Sequence, residues 1–205
     1  MAQLGRPRSF DRDDALQRAM ETFWSLGYEG ATLTDLQSAM GGITAPSFYA
    51  AFGAKEDLFR ETVELYRRTV GNIPMQALME SATARAGIEA MLTAAVNCFC
   101  SKDKPKGCLI VLGTMNCSRT SSKVQKHLLT LRLRRGEQIK KRIERGVEEG
   151  DIPGNADVAA LASFYTAVLL GLCMQARDGA TRKALMATVD GAMAAWNTLV
   201  LEPEK

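Results

Sequence analysis

The chain of 205 residues has little or nothing of several features that large classes of proteins require. The chain has a single histidine, His127. One histidine is too few for a histidine-rich metal site and argues against histidine-based acid–base catalysis as its function. No apolar run opens the chain, and the longest apolar stretch, residues 159–174, is shorter than the about 20 residues that cross a bilayer. We therefore expect a cytoplasmic protein with no signal peptide and no membrane partner.

Cysteine occurs five times, but never with the spacing of a common metal site. Zinc sites favour cysteine pairs separated by two residues, and the sequence contains no such pair. We expect no metal and no cofactor. A thiol sensor remains open as an alternative, because Lys102, Lys104 and Lys106 are close in sequence to two thiols and a nearby cation lowers a thiol pKa. The candidate sensing residues are Cys98, Cys100, Cys108 and Cys117.

Positive charge is also scarce in the first third of the chain. Residues 1–68 carry 8 Lys and Arg against 10 Asp and Glu, so any DNA recognition there must rest on a few placed contacts. Residues 102–145 instead carry 13 Lys and Arg against 3 Asp and Glu. We interpret this segment as the solvated face of a long helix, with steering of DNA or an acidic ligand as the alternative. Its predicted buried stripe is Leu129, Leu133, Ile139, Ile143 and Val147.

What the chain does contain is a series of helix signals near its N-terminus. Asp11 is a good N-cap for a first helix. Thr32 and Asp35 form a capping-box pair for a second helix. Gly41 and Gly42 end that helix, since both residues accept the positive φ of a sharp turn. Two very short helices around a glycine turn are typical of a unit whose outer face fits a DNA groove.

A third helix is predicted to begin after Thr44, with Pro46 in its first turn. The spacing of Phe48, Ala51 and Phe52 directs these three side chains inward. The residues left on the outer face are small or carry hydroxyl groups, which suits contacts with base edges, thymine methyl groups and phosphates. The outward residues of this segment are Thr44, Ala45, Pro46, Ser47, Tyr49 and Ala50.

Residues 9–59 resemble the DNA-binding domain of TetR-type transcriptional regulators. The motifs that carry the resemblance are A-T-L-T-D-L, I-T-A-P-S-F-Y-A-A-F and K-E-D-L-F. The resemblance implies an all-α fold of about nine helices, with an N-terminal three-helix domain and a C-terminal helical domain. It also makes 44–50 the recognition helix and gives phosphate-side roles to Thr34, Tyr49 and Lys55. Two departures are a turn, M-G-G-I-T, that is one residue longer than usual, and Ala54 in place of Ser or Asn.

The predicted organisation has three parts. Residues 1–8 form a basic arm, in which Arg6 and Arg8 suit insertion into a narrow minor groove. Residues 9–69 form the DNA-binding domain, with the helix-turn-helix at about 32–52. Residues 70–205 form an effector-binding and dimerisation domain, with helices expected near 85–100, 108–116, 122–149, 156–177 and 181–199.

The last two predicted helices carry broad apolar stripes. The resemblance implies that they pair with their copies as a four-helix dimer interface, and intramolecular packing is the alternative. Ala160, Ala167 and Gly171 allow close approach of neighbouring helices. The predicted interface residues are Leu161, Val168, Leu172, Val189, Met193 and Trp196.

An effector pocket is expected between the DNA-binding helices and this interface. Methionine and aromatic side chains fill irregular spaces, and the resemblance implies a ligand cavity here. The candidate lining residues are Met91, Cys98, Phe99, Met115, Tyr165 and Met174. No catalytic pair stands at a usable spacing, so we expect no enzyme.

The sequence thus favours a homodimeric, sequence-specific DNA-binding regulator. We expect a repressor that binds an inverted-repeat operator and is released by a small-molecule effector. One alternative is a cysteine-based redox or electrophile sensor of the same fold. The other is a helical small-molecule-binding protein without operator specificity.

Overall fold

The computed structural model describes residues 10–115 and 117–201, and this part of the chain is all-α. It contains eleven α-helices and two 3-10 turns, at Val70–Asn72 and Arg119–Ser121. The α-helices, in chain order, are α1 (Arg12–Gly30), α2 (Leu33–Ala39), α3 (Ala45–Phe52), α4 (Lys55–Arg68), α5 (Ile73–Glu80), α6 (Ala84–Phe99), α7 (Leu109–Leu112), α8 (Ser122–Glu148), α9 (Val158–Arg177), α10 (Arg182–Ala194) and α11 (Trp196–Val200).

The first helices begin where the sequence predicts. The Asp11 carboxylate accepts from the backbone N–H groups of Asp13 and Asp14, which satisfies two free donors at the start of α1. The Thr32 hydroxyl accepts from the Asp35 N–H at 3.1 Å, and the Asp35 carboxylate accepts from the Thr32 N–H at 2.9 Å. Each cap depends on residues at most three positions apart, so the local sequence is sufficient to specify it.

Aromatic side chains hold α1 against α4. The Phe23 and Phe59 rings meet edge to face, with 5.0 Å between their centroids, and Tyr28 adds a contact with Phe59 at 5.1 Å. Near the other end of α4, Trp24 contacts Tyr66. Such pairs stabilise a core beyond the area that they bury. The short helices α2 and α3 therefore rest on a rigid α1–α4 support.

The C-terminal helices form a second group around α8 and α9. The pair α5–α6 packs together, α8 lies along α9, and α6 contacts both α9 and α10. The predicted buried stripe of α8 is wrong in its first half, because Leu129 and Leu133 are 46% and 65% exposed. The helix instead buries Val124, Leu128, Leu131, Ile139, Arg142 and Ile143.

The described residues contain two α-helices more than the nine expected, α5 and α11. Helix α5 lies where we predicted none, and Pro74 stands in its first turn, where proline is well tolerated. The predicted helix at 181–199 ends at Ala194, and α11 continues it after Ala195. The predicted helix at 108–116 is only four residues long, Leu109–Leu112.

Within the described residues, one helix, α9, is long and apolar enough to cross a membrane by length and composition. Its best 18-residue window has a mean hydropathy of 1.7, and only 33% of that window is buried within the subunit.

Candidate nucleic-acid interface

A two-glycine turn sets the angle between α2 and α3. Gly41 and Gly42 have φ values of 90° and 74°, a region that side chains other than glycine rarely adopt. The Gly42 N–H donates to the Gln37 carbonyl at 2.9 Å, which closes the C-terminus of α2. The chain then re-emerges at Thr44, directly at the start of α3.

Helix α3 has one buried face and one exposed face. Phe48 and Phe52 are buried against the α1–α4 support, and the Tyr49 side chain is 54% exposed. At the N-terminus the Ser47 N–H donates to the Thr44 hydroxyl at 3.4 Å, and that hydroxyl donates to the Ser47 hydroxyl at 3.1 Å. Thr44, Pro46 and Ala50 are exposed, and Ala45 and Ser47 are partly exposed. The structure therefore gathers the predicted recognition residues on one outward surface.

Arg12 fixes α3 from behind. Its guanidinium donates to the Glu61 carboxylate on α4 at 2.7 Å and to the Ala51 carbonyl at 3.3 Å. The same group lies 4.6 Å from the centre of the Phe52 ring. One side chain thus joins α1, α3 and α4, which holds the outward surface in a defined orientation.

The two other phosphate-side candidates lie at the edges of this surface. Thr34 is exposed in the first turn of α2. Lys55 opens α4 and is half-buried, with its Nζ 4.7 Å from the Tyr28 ring centre. Burial lowers the pKa of Lys55, and the carboxylates of Glu29 and Asp35 act in the opposite direction. Arg6 and Arg8, the candidate minor-groove residues, lie outside the described residues.

The C-terminal end of α1 is fastened to the second group of helices. Gly27 has a φ of 74°, so the helix is kinked there and the Tyr28 N–H donates to the Gly113 carbonyl at 2.8 Å. The Glu29 carboxylate accepts from the Ser118 N–H at 3.0 Å. Hydrogen bonds from the Ser121 and Ser118 hydroxyls and from the Ser118 backbone N–H lower the pKa of Glu29. The DNA-facing helices are therefore in direct contact with the turn between α7 and α8.

The six candidate pocket residues do not line one cavity. Cys98 and Phe99 border an inner space of about 10 Å³ beside Tyr66. Met115 and Met174 border a separate cleft of about 260 Å³ next to the end of α1. Met91 and Tyr165 are fully buried, and the Tyr165 hydroxyl donates to the Ala192 carbonyl at 3.1 Å. The six residues therefore do not form the one cavity expected, because the residues of α6 and those of α9 do not all face the same space.

A buried polar group lies at the inner space. The Arg135 guanidinium donates to the Sγ of Cys108 at 3.1 Å and to the Gly71 carbonyl at 2.9 Å. The Tyr66 side chain borders the same inner space as Cys108. The sequence predicts lysines beside the thiols, and neither Arg135 nor Tyr66. Lys104 pairs with Glu21 at 2.6 Å, and Lys106 donates to the carbonyls of Cys100 and Ser101.

A signal for Arg135 was present in the sequence. It interrupts the helical stripe of Leu131 and Ile139 on α8, and an arginine on an apolar stripe needs a buried partner. The identity of that partner depends on the fold, because Cys108 is 27 residues away in the chain.

Five of the six predicted interface residues are buried within the subunit, so they have no surface left for a second copy. Periodicity alone selects this core-facing stripe, whereas the other side of α9 carries small apolar side chains such as Ala160 and Ala167. Only Val168 is partly exposed. The buried residues are Leu161, Leu172, Val189, Met193 and Trp196.

The outward face of the same two helices contains many small residues beside the exposed Lys183 and Asp190. A Cβ added at Gly171 or Gly191 would meet nothing within 4 Å in the described part of the chain. The exposed residues on this face include Ala160, Ser163, Ala167, Ala187 and Ala194.

The five cysteines are unbonded thiols. Among residues 10–115 and 117–201, no group of three or more His, Cys, Asp or Glu is placed to hold a metal ion. The described residues therefore offer no arrangement from which a metal centre can be argued.

Comparison with known proteins places these features in a family. Residues 82–190 match the family model described as the tetracyclin repressor-like C-terminal domain. The chain is 34% identical over 197 residues to the HTH-type transcriptional repressor ComR of Escherichia coli (strain K12), covering 96% of this chain and 93% of the relative.

Solved structures agree with this assignment. The chain is 43% identical, with a TM-score of 0.90, to a cysteine mutant of the TetR family transcriptional regulator CifR complexed with 26-bp double-strand operator DNA, covering 94% of this chain and 100% of that one. It is 34% identical, with a TM-score of 0.59, to a TetR transcriptional regulator from Rhodococcus sp. RHA1, covering 92% of this chain and 98% of that one.

Proposed function

The chain belongs to the TetR family of helix-turn-helix transcriptional regulators, and on that premise we propose that it is a homodimeric repressor released from its operator by a small-molecule effector. We place the division between the DNA-binding and effector-binding domains at 69–70, with residues 1–8 as a DNA-contacting arm. Its partner is double-stranded DNA containing an inverted repeat, so its place of work is the cytoplasm. The proposal includes no catalytic role.

The observation that carries the proposal is the exposed surface of α3. Hydroxyl and methyl groups project from a helix of eight residues whose other face is buried on α1 and α4. A helix so short is stable only through such packing, and its outer face has the width of the major groove. Among the relatives, ComR is a repressor and CifR binds operator DNA.

Dimerisation is supported by the uncovered face of α9 and α10. Small side chains let the helices of two copies approach closely, as in a four-helix bundle. The low burial of apolar α9 within one subunit has the same explanation, since a second copy covers the apolar face. We therefore replace the predicted interface stripe with the face that contains Ala160, Ala167, Gly171, Ala187 and Gly191.

Helix α4 is the element that connects an effector to DNA binding. It begins at Lys55 beside the recognition helix and ends near Tyr66 at the inner space of the C-terminal helices. An effector changes operator affinity only if it binds the non-DNA form more tightly, by about 1.4 kcal/mol for each tenfold change. A shift of α4 changes the separation of the two recognition helices in a dimer.

The experiment begins with selection of bound duplexes from a random pool by the purified full-length protein, which defines the operator. Fluorescence anisotropy then compares the wild type with Ser47→Ala/Tyr49→Ala, and light scattering gives the oligomeric state. Thr130→Ala, at an exposed hydroxyl on α8, is the matched control.

We expect an enriched inverted repeat, a dimer, and an affinity loss on the order of 10- to 100-fold for the double variant only. Selection without an enriched sequence favours the alternative of a ligand-binding protein without operator specificity. If the double variant binds the operator as tightly as the wild type, α3 is not part of the DNA interface.

A further inference from the structure

Cys108 is the only described cysteine that a buried cation contacts directly. The Arg135 guanidinium lies 3.1 Å from its Sγ, and the Tyr66 side chain lines the same inner space. Burial raises the pKa of the Cys108 thiol, but the Arg135 charge, the bonds from Tyr66 and Arg135 and the Val111 N–H outweigh burial and hold it below its ordinary value. The group is therefore arranged to stabilise a thiolate, the nucleophilic form of cysteine.

Three other thiols have the opposite environment. Burial raises the pKa of Cys98, Cys117 and Cys173. Cys98 lies beside a backbone carbonyl, that of Val70, at 4.0 Å, which does not favour a thiolate. Of these four thiols, only that of Cys108 has partners that favour the thiolate.

A path leads from solvent toward this sulfur. A cleft of about 290 Å³ opens between the end of α4 and α8, and the inner space that Cys108 borders lies behind it. The two spaces share Gly71, Met75 and Arg135 in their walls. Movement of the Arg135 side chain therefore joins the cleft to the thiol.

The size of the inner space limits the ligand. At about 10 Å³ it holds roughly one water, whereas reversible ligands of ordinary size occupy about 300–1,000 Å³. A covalent bond supplies affinity without a large contact surface, so a small reactive compound fits this region better than a large reversible one. The cations Arg67, Arg134 and Lys141 around the outer cleft favour compounds that carry or develop negative charge on oxygen.

We propose that Cys108 is the sensing residue of this regulator and that its effector is a small α,β-unsaturated aldehyde or ketone, captured as a thioether. The inference rests on the proposed function, because it names the effector class of that repressor. Arg135 and Tyr66 are positioning residues, since they act through the sulfur.

The reaction needs no oxidant or reductant. The thiolate sulfur attacks the β-carbon, an S–C bond forms, and the C=C π electrons move through the carbonyl to an enolate oxygen. The Arg135 guanidinium is adjacent to this developing charge. A solvent proton then adds to the α-carbon, so the product is the neutral thioether of the intact compound.

An adduct at Cys108 acts directly on α4. The added group displaces the sulfur from Arg135, which also holds the Gly71 carbonyl in the turn after α4, and it enters the inner space that Tyr66 of α4 borders. Gly71 packs so closely on Tyr66 that a Cβ there would lie 2.5 Å from the ring carbon Cε1. A space this tight cannot accept added atoms without moving the end of α4.

The test treats the full-length protein with one molar equivalent of methyl vinyl ketone. Peptide mass mapping locates the adduct, and anisotropy measures operator affinity before and after treatment. Cys108→Ser is the test variant, Cys108→Ala guards against a specific effect of serine, and Cys117→Ser is the matched cysteine control. We expect the adduct at Cys108, at least a tenfold affinity loss in wild type and Cys117→Ser, and no loss in either Cys108 variant.

Alkylation rates across pH separate a reactive thiol from a merely structural one. The titratable groups facing Cys108 are Tyr66 on α4, Arg132 and Arg135 on α8, Cys173 on α9 and Cys98 on α6. The wild-type rate should persist to lower pH than the rate of Arg135→Gln, since the variant loses the cation that favours the thiolate. At a fixed pH below the thiol pKa, the rate falls about tenfold for each unit by which that pKa rises.

Three results overturn the inference. The first is an adduct at another cysteine together with operator release that persists in Cys108→Ser, and the second is an adduct at Cys108 that leaves operator affinity unchanged. The third is operator release by peroxide, with formation of a disulfide, when methyl vinyl ketone causes no release. If the untreated protein selects no operator, the proposed function fails instead, and the mapping still reports the reactivity of Cys108.

Discussion

The rings of Trp24 and Tyr66 meet edge to face with 4.8 Å between their centroids, and this contact lies within the α1–α4 support. Trp24 belongs to α1, and the Tyr66 side chain also borders the inner space that Cys108 lines. One tyrosine therefore belongs both to the α1–α4 support and to the wall of the inner space. Displacement of Tyr66 is transmitted to α1 as well as along α4.

Gly71→Ala tests the close packing at this point. The added Cβ would overlap the Tyr66 ring, so we expect a loss of about 1–3 kcal/mol in the free energy of unfolding and weaker operator binding. Gly154→Ala is the matched control, because its Cβ meets nothing within 4 Å in the described residues and should change stability by less than about 1 kcal/mol. Urea unfolding of both variants checks this, and equal stabilities contradict it.

Tyr49→Phe tests the phosphate-side role of α3. Loss of one hydroxyl should weaken binding by about 1 kcal/mol, and equally for all operator variants, because a phosphate contact carries no sequence information. Tyr28→Phe is the control, since it keeps the ring that contacts Lys55. Anisotropy on two operator variants provides the measurement. A loss confined to one variant assigns Tyr49 to a base instead.

Ala187→Glu tests the dimer face. A carboxylate between two closely packed helices is buried without a partner, so we expect monomers by light scattering and operator affinity lowered at least about 100-fold. Ala86→Glu places the same charge in the exposed first turn of α6, where the helix dipole favours it, and should leave a dimer. An Ala187→Glu dimer would show that the interface lies elsewhere.

Replacement of Arg6 and Arg8 by Ala tests the arm. Each arginine that neutralises a phosphate adds about one to the dependence of log affinity on log salt concentration, so the double variant should bind more weakly and with a slope lower by about two per arm. Titrations at two salt concentrations are sufficient. An unchanged slope removes the arm from the interface.

Arg142→Met tests a buried charge. The Arg142 side chain is 0% exposed, donates to the Ser81 carbonyl at 3.2 Å and lies 3.9 Å from Glu149. Two of its nitrogens, Nε and Nη1, have no hydrogen-bond partner among the described residues. A methionine of similar volume should therefore leave stability within about 1 kcal/mol of wild type or raise it. Arg142→Ala, which leaves a cavity, should cost about 2–5 kcal/mol, and an equal loss for both variants contradicts the argument.

The helix caps, the glycine turn and the outward face of α3 were predictable from the sequence because each depends on residues within one or two turns. Thr32 and Asp35 are three residues apart and hydrogen-bond to each other, and the four-residue spacing of Phe48 and Phe52 determines which side of α3 is buried. These features also carry the family resemblance.

The sequence did not determine relationships between distant residues. On α9 both faces carry apolar side chains, so the sequence alone does not choose between Leu161 and Ala160 as an interface residue. The contact between Arg135 and Cys108 joins segments that only the packing of α8 against α7 brings together. The candidate pocket residues failed as one group for the same reason.

The kink at Gly27 has a mechanical consequence. By freeing the Tyr28 N–H to reach Gly113, it attaches the DNA-facing helices to the remainder of the subunit a second time, at a distance from the continuous chain at the end of α4. The bonds of Glu29 with Ser118 and of Glu21 with Lys104 strengthen that second attachment. A displacement of α7 or of the turn after it is therefore passed to the N-terminal helices without passing through α4.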